Sequence, residues 1–320
     1  MSLTLPTSIL NIFQKKKTNF SAGISILPDK VQLVKVESVN GSMQCVGFDV
    51  VSTTTDDQAI TALETLINKH QLVSAETTII LPANKVESTQ LDTSELPDRE
   101  VTATLPWKIK ELINIAPQDM VCDYIDMPLQ PTGQQPKTQV LAVSRTYLER
   151  VIKPFHDAGA PIHALTTEQF ALAKLQTTQD AAQLIFIQHH KSDAILLIVK
   201  NQQICFARKI RNTAATIDMT PEQLQMGGSD MIAIEIQRSI DYFESQLKQP
   251  PIKNAFLAME GNNADLLVDA LNQVLPVKTK LIPLDNLDGQ SDLDSSYIAA
   301  VGAALYSQPL KIAVEAKNEN

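Results

Sequence analysis

Apolar residues alternate with small or polar ones from Phe20 onward. Phe20, Ala22, Ile24 and Ile26 lie two apart, and Val31, Leu33 and Val34 follow beyond Pro28-Asp29. A period of two predicts strands, and a Pro-Asp pair between apolar runs predicts a tight turn, so Phe20 to Glu37 reads as a hairpin. Met43 to Val51 is a third strand, set off by the hairpin-turn dipeptide Asn40-Gly41. The period then lengthens. Ile60, Leu63 and Ile67 share one face of a helix that Asp57 can cap, and Thr77 to Leu81 returns to a short apolar strand.

The order recurs in the second half. Gln183 to Gln188, Ala194 to Val199 and Gln202 to Lys209 read as three strands, the last after a turn at Asn201. A long helix from Ser229 to about Leu247 follows, with Ser229 as cap and Ile232, Ile236, Ile240, Phe243 and Leu247 as its apolar stripe; Pro250-Pro251 ends it. Ala255 to Met259 is the next strand. Two meanders, each followed by a helix and a strand, predict a duplicated α/β fold, a pattern that several α/β architectures share.

Between the halves, Val86 to Gln135 reads as an insert. It holds a strand from Val86 to Leu91, a helical stretch from Asp98 to Ile113 with a break expected at Pro106, a strand from Met120 to Met127, and a loop rich in Pro, Gly and Gln. Lys137 to Ser144 is expected to resume the main sheet. A helix from Thr146 to Ala158 stops at the C-cap glycine Gly159, followed by a strand from Ile162 to Leu165 and a helix from Thr167 to Leu175. Gln176 to Ala181 is the expected hinge.

Composition narrows the class. The 320 residues suffice for one large or two ordinary cores, and 44% hydrophobic with 20% charged residues are globular values. No apolar run reaches the roughly 18 residues of a membrane span, and no signal peptide is read. Three widely spaced cysteines, Cys45, Cys122 and Cys205, fit a reducing compartment, lack zinc spacing and read as core residues. The expected location is cytoplasmic. A net charge of -9 argues against nucleic acid as partner. Only Met1 to Lys17 departs from this balance. There Lys15, Lys16 and Lys17 follow Ile9, Leu10, Ile12 and Phe13 without an acid, so the segment reads as a flexible tail or a contact for an anionic membrane surface or a partner.

Five stretches in order carry a resemblance. They are LPWKIKELINIAPQDMVCDYIDMP (Leu105 to Pro128), AVSRTYLERVIKPFHDAGAPIHALTTEQFAL (Ala142 to Leu172), LLIVKNQQICFARKI (Leu196 to Ile210), EIQRSIDYF (Glu235 to Phe243) and YIAAVGAAL (Tyr297 to Leu305). Together they resemble the PilM family of actin-like type IV pilus assembly proteins, relatives of FtsA, and within it the MSHA-type members. The resemblance spans Phe20 to about Gln308. It implies a duplicated ribonuclease-H-like, actin-like ATPase fold: a basic segment over 1–18, a first lobe over 19–180 carrying an α+β insert at about 84–136, a second lobe over 181–310 and a tail over 311–320. It further implies a cytoplasmic scaffold, peripheral to the inner membrane, alongside other platform proteins and the assembly ATPase. The scaffold would hold the N-terminal tail of a PilN-like bitopic partner in a groove between the first lobe and its insert.

In such folds Mg2+ needs carboxylates, and phosphates need glycines whose backbone comes close. Here Ser25 and Leu27 stand at the first loop, Gln188-His189-His190 at the second, and Glu260-Gly261-Asn262-Asn263 at the third, with one glycine of the usual pair. Asp193 lies past its turn and is expected to face water. The helix from Tyr297, with Gly302, resembles the family's adenosine-contacting helix. The expectation is a nucleotide cleft of Ser25, Leu27, Gln188, His189, Gly261, Asn262 and Gly302 that has lost its phosphate and metal side. The chain then reads as a non-enzyme without a cofactor, the alternative being an ATP-binding protein or ATPase that switches or polymerises.

The remaining candidates read as structural. His189 and His190 are adjacent strand residues facing opposite ways, so they read as solvent or loop histidines rather than a chelating pair; His156 and His163 read likewise. Glu235 and Arg238, at i and i+3, read as a helix salt bridge ahead of a catalytic pair. Gly227-Gly228 reads as a turn ahead of an anion cradle. Trp107 is either core filling or an anchor in the peptide groove, with Val121 and Tyr124 on the strand beside it.

Overall fold

The computed structural model describes residues 20–39, 42–92, 101–131, 133–176, 181–284, 287–288 and 293–306. The tail with Lys15, Lys16 and Lys17, the Asn40-Gly41 turn and most of the expected hinge lie outside the described residues.

Three strands open the chain: β1 (Phe20–Ile26), β2 (Lys30–Val39) and β3 (Ser42–Ser52), paired as an antiparallel meander. Helix α1 (Asp56–Lys69) then crosses to β4 (Ala75–Ile80), which runs parallel to β1. The cap of α1 is Thr55, whose hydroxyl accepts from the Gln58 N–H at 3.2 Å, and Asp57 lies in the first turn instead. Asp57 is well placed there too, because a carboxylate favours the positive end of a helix. Helix α3 (Arg145–Ala158) and β8 (Ile162–Thr166) complete this half, with Gly159 closing α3 in the left-handed region at φ 69°. Between β4 and α3 come β5 (Glu87–Asp92), α2 (Val101–Lys108), β6 (Met120–Asp126) and β7 (Lys137–Ser144).

The second half repeats the plan. It comprises β9 (Gln183–Gln188), β10 (Ala194–Lys200), β11 (Gln203–Ile210), α5 (Asp230–Asp241), β12 (Asn254–Met259) parallel to β9, α6 (Ala264–Val274) and β13 (Lys278–Leu281). The sheet orders show the duplication. One sheet runs β3-β2-β1-β4-β8, extended at its edge by β14 (Leu287–Asp288), and the other runs β11-β10-β9-β12-β13. Two more helices link the halves: α4 (Glu168–Ala173), between β8 and β9, and α7 (Ile298–Ala304), which returns from the second half to pack on β1.

Two expectations about the insert change. Lys137–Ser144 does not resume the main sheet; it is the centre of a separate three-stranded sheet, β5-β7-β6. Alternation fixes which side chains share a face but not which strand lies alongside. Thr138, Val140 and Ala142 of β7 are buried, and Val140 and Ala142 pack with Leu105 and Ile109 of the helical segment rather than with the main core. Nor does α2 break at Pro106; it continues through that residue to Lys108.

Helix α5 also differs at its start. Ser229 stands at its N-cap but makes no side-chain cap bond, because the chain enters through an irregular helical turn kinked at Met226 and Gly227 (φ 100°). The stripe Ile232, Ile236, Ile240, Phe243 and Leu247 is buried against β9–β12, as the period predicts.

β1 is buried on both faces. Its apolar residues meet α1 and α3, and its small ones admit α7. A Cβ on Gly23 would lie 2.0 Å from the Ala300 carbonyl oxygen, so helix and strand touch through bare backbone. The three cysteines are buried and free. Burial and the neighbouring Asp123 charge push the Cys122 thiol up to about 11, a thiol held in its unreactive form. Among the described residues no helix is long and apolar enough to cross a membrane.

Candidate functional site

The first parallel-paired strand of each half ends at the cleft, as does β12, and each of these ends opens into one of the three loops singled out above. After β1, the Leu27 N–H bonds the Lys30 carbonyl at 2.9 Å, closing the turn on itself. Ser25 is fully buried, and its hydroxyl has no hydrogen-bond partner; the cross-strand Gln32 likewise leaves its Oε1 unpartnered.

After β9, Gln188 is fully buried and donates through Nε2 to the carbonyls of His189 (2.8 Å) and Ser192 (2.6 Å). It therefore pins its own loop. Asp193 is exposed, as expected.

After β12, Gly261 takes φ 86°, which a residue with a side chain rarely adopts. Asn262 is exposed, while Asn263 turns inward and donates to the carbonyls of Ile217 (3.1 Å) and Met219 (2.5 Å). An open cavity of about 460 Å³ lies here, walled by His190, Ile217, Asp218, Met219 and Glu260 to Asn263.

His189 overturns its expected place. It is 5% exposed rather than solvated. Its Nδ1 lies 2.8 Å from Oε1 of Glu260, and its Nε2 meets Glu168 of α4. A neutral imidazole donates from one nitrogen only, so two carboxylate partners require the doubly protonated ring. Burial opposes that charge, but the two carboxylates outweigh it and lift His189 to about 10. Glu260 extends the chain of contacts to the other lobe, where its Oε2 lies 2.8 Å from Nζ of Lys30. Burial would raise its carboxyl, yet the bonds from His189 and Lys30 prevail and hold it at about 2. Glu168, His189, Glu260 and Lys30 thus form one line of alternating charge across the three loop ends.

Of the expected cleft residues, Ser25, Leu27, Gln188, His189, Gly261 and Asn262 all belong to these three loop ends. Of the seven, only Gly261 and Asn262 line the cavity. A Cβ on Gly302 would lie 2.5 Å from the Ala171 carbonyl oxygen, so this glycine seats α7 against α4. Lys30 and Glu168 do not stand out as cleft residues in the sequence. The one available signal is that the loops lacking acid and glycine carry Lys30, His189 and Glu260 in their place. Among the described residues no group of His, Cys, Asp and Glu is set to hold a metal.

On the insert, Trp107 is 63% exposed, so it is not core filling, and Leu112 of the following turn is exposed as well. Val121 and Tyr124 are both half-buried on β6. Tyr124 packs on the helix side with Met120 and Cys122, and Val121 points the other way. One edge of β6 pairs with β7 and the other has no strand partner among the described residues. Glu235 does bridge to Arg238 at 2.9 Å and also holds Arg208, as a structural pair would.

The sequence matches no protein-family model and no curated protein. Solved structures do match. The PilM–PilN type IV pilus biogenesis complex superposes with a TM-score of 0.63 at 16% identity, over 90% of this chain and 99% of that one. The cytoplasmic domain of EpsL, an inner membrane component of the type II secretion system of Vibrio cholerae, gives 0.51 at 10% identity over 90% and 96%. The ethanolamine utilization protein EutJ from Carboxydothermus hydrogenoformans gives 0.51 at 10% over 93% of each. The fold is that of the actin-like ATPases. Its duplicated halves are the two lobes, and the β5-β7-β6 sheet is carried by the first.

Proposed function

We propose that this chain is a non-catalytic scaffold of a type IV pilus assembly platform, of the MSHA type. It would lie at the cytoplasmic face of the inner membrane and hold the N-terminal tail of a PilN-like bitopic protein. The observation that carries this reading is the superposition on the PilM–PilN complex along nearly the whole of both chains. The cleft supports the non-catalytic part: the places for a metal-binding acid hold Ser25 and Gln188, and a charge line stands where phosphates would enter. The insert supports the binding part, since an extended peptide can add to the edge of β6 that has no strand partner among the described residues, while side pockets select its sequence.

The test is co-purification with a PilN-like bitopic protein of the same cell, with and without its N-terminal cytoplasmic segment. Retention that depends on that segment is expected. Equal retention of both forms, or of neither, would refute the reading.

A second reading is an ATP-binding switch of the same fold. The cavity beside Gly261 and Asn262 favours it, being roomy enough for part of a nucleotide. Titration with magnesium-ATP separates the two.

A further inference from the structure

Glu260 sits where both lobes converge. One of its oxygens meets Nζ of Lys30, from the first lobe, at 2.8 Å and accepts from the His190 main-chain N–H at 3.3 Å. The other meets Nδ1 of His189 at 2.8 Å. A phosphate group would bind in the same manner, offering several acceptor oxygens to cations and main-chain donors that arrive from both sides. We propose that Glu260 is a built-in anion that latches the two lobes together at the place of the phosphates, so that this cleft closes without nucleotide. The inference goes beyond the scaffold reading and does not depend on which partner the protein holds.

An ordinary surface ion pair would not support this, because such pairs contribute little. The side chains here are withdrawn from water: 18% exposed for Lys30, 9% for Glu260 and 6% for His189. Charges so placed are stable only when each finds a partner. The line satisfies that condition, with two cations, Lys30 and His189, against two carboxylates, Glu260 and Glu168. Within the line, the Lys30–Glu260 contact is the one that joins the first hairpin to the second lobe. Glu168, on the linking helix α4, anchors the far side of His189. Removing the Glu260 carboxylate therefore leaves two cations facing a gap the size of a small oxyanion.

The experiment follows from that gap. Thermal melting of Glu260→Ala is measured in phosphate, sulfate and acetate against chloride at equal ionic strength. The three oxyanions are expected to raise its Tm by several degrees above chloride, while the unsubstituted protein shows no such preference. Lys30→Met combined with Glu260→Ala is expected to lose the effect. A folded Glu260→Ala protein indifferent to the anion overturns the proposal, and so does oxyanion stabilisation that persists without Lys30. Lys30→Met alone tests the latch if Glu260→Ala fails to fold, because it leaves the His189–Glu260 pair intact. Amide exchange at 27–30 and 260–263 in the full chain is then expected to quicken on the order of tenfold through local opening. Unchanged exchange overturns the latch.

Discussion

Lys30 and Glu260 are 230 residues apart in the chain, and their side chains meet at 2.8 Å across the cleft. Lys30 opens β2 and Glu260 follows β12, so the contact joins the first hairpin of one lobe to the third loop of the other. In a duplicated fold these two loops face each other by topology alone, and complementary charges at their tips convert proximity into attachment. In the scaffold reading proposed above, this internal bond stands where such loops would otherwise meet a ligand.

Because His189 belongs to that bond, stability must depend on pH in a particular direction. His189 is raised from 6.5 to about 10, so its contribution is complete below 6.5 and is lost as pH rises through about 10. Glu260 is lowered from 4.5 to about 2, so its contribution is present above 4.5 and lost as pH falls through about 2. Urea unfolding at about pH 6 and about pH 9.5 is expected to show a larger fall in midpoint for the unsubstituted protein than for His189→Gln, which cannot titrate. Equal falls would mean that His189 is neutral in the fold.

Nucleotide binding gives the next expectation. A ligand present at about a hundred times its Kd stabilises by about 2.7 kcal/mol, which raises the Tm of a lobe of this size by about 5–10 °C. No shift of that kind is expected with magnesium-ATP at millimolar concentration, since Lys30 and His189 are already paired with Glu260 and Glu168. A clear shift that survives removal of Mg2+ but is lost in Gly261→Val would instead place an adenosine moiety in the cavity beside Gly261.

The meander strands of both lobes and the helices that follow them were legible because each carries a plain period, whereas α6, β13 and β14 were not read from the sequence. β9 begins and ends where its apolar run does, and α5 is buried along the stripe its spacing marks. Neighbourhood was not legible. The alternation of Lys137–Ser144 is equally consistent with the main sheet and with the small one that it joins. The charge line was hidden for the same reason: Glu168 and Glu260 lie 21 and 71 residues from His189, and a buried charged histidine looks in sequence like any polar loop residue. Gly302 was ambiguous in sequence because a glycine needed for close packing and one needed for a ligand leave the same mark; its contact with the Ala171 main chain shows the packing use.

Gly23 and Gly302 both serve close packing. A Cβ on Gly23 would meet the Ala300 oxygen at 2.0 Å and the Ala304 nitrogen at 2.3 Å, both rigid main-chain atoms. Gly23→Ala is expected to cost about 3 kcal/mol or more, as overpacking against backbone does. Gly302→Ala, against the Ala171 carbonyl, should behave alike. Denaturant melts measure both, and a change below about 0.5 kcal/mol in either would show that α7 can move aside.

Glu235 holds two arginines unequally. Arg208 bonds its carboxylate and also donates to the Glu235 carbonyl at 2.8 Å, tying β11 to α5. Arg238 bonds only the carboxylate and is largely exposed. Arg208→Ala is therefore expected to destabilise by about 2 kcal/mol, the scale of lost charge-assisted bonds. Arg238→Ala should leave the melt nearly unchanged, as exposed helix pairs do. A reversed ranking would count against the β11–α5 tie.

In the scaffold reading proposed above, Trp107 bears on partner binding rather than on folding. A core tryptophan cut to alanine costs about 3–5 kcal/mol, whereas an exposed one away from special features stays within about 0.5 kcal/mol. At 63% exposure Trp107 belongs to the second class, so Trp107→Ala should melt like the unsubstituted protein. Large exposed aromatics are also the residues that most often anchor an interface, where truncation costs about 2 kcal/mol or more, a loss of about thirtyfold in affinity. Titration with a synthetic peptide of the PilN-like partner's N-terminal segment, read by anisotropy of a labelled peptide, is expected to show such a loss in Trp107→Ala. Val121→Lys and Tyr124→Lys report separately, since the two side chains leave β6 on opposite faces. A peptide that pairs along the edge of β6 and rests on Trp107 should respond more to the Tyr124 change, which lies on the helix side. If Trp107→Ala binds with unchanged affinity and crosslinks from the peptide fall beside Gly261 and His190, the peptide occupies the interlobe cavity and the insert is not the docking site.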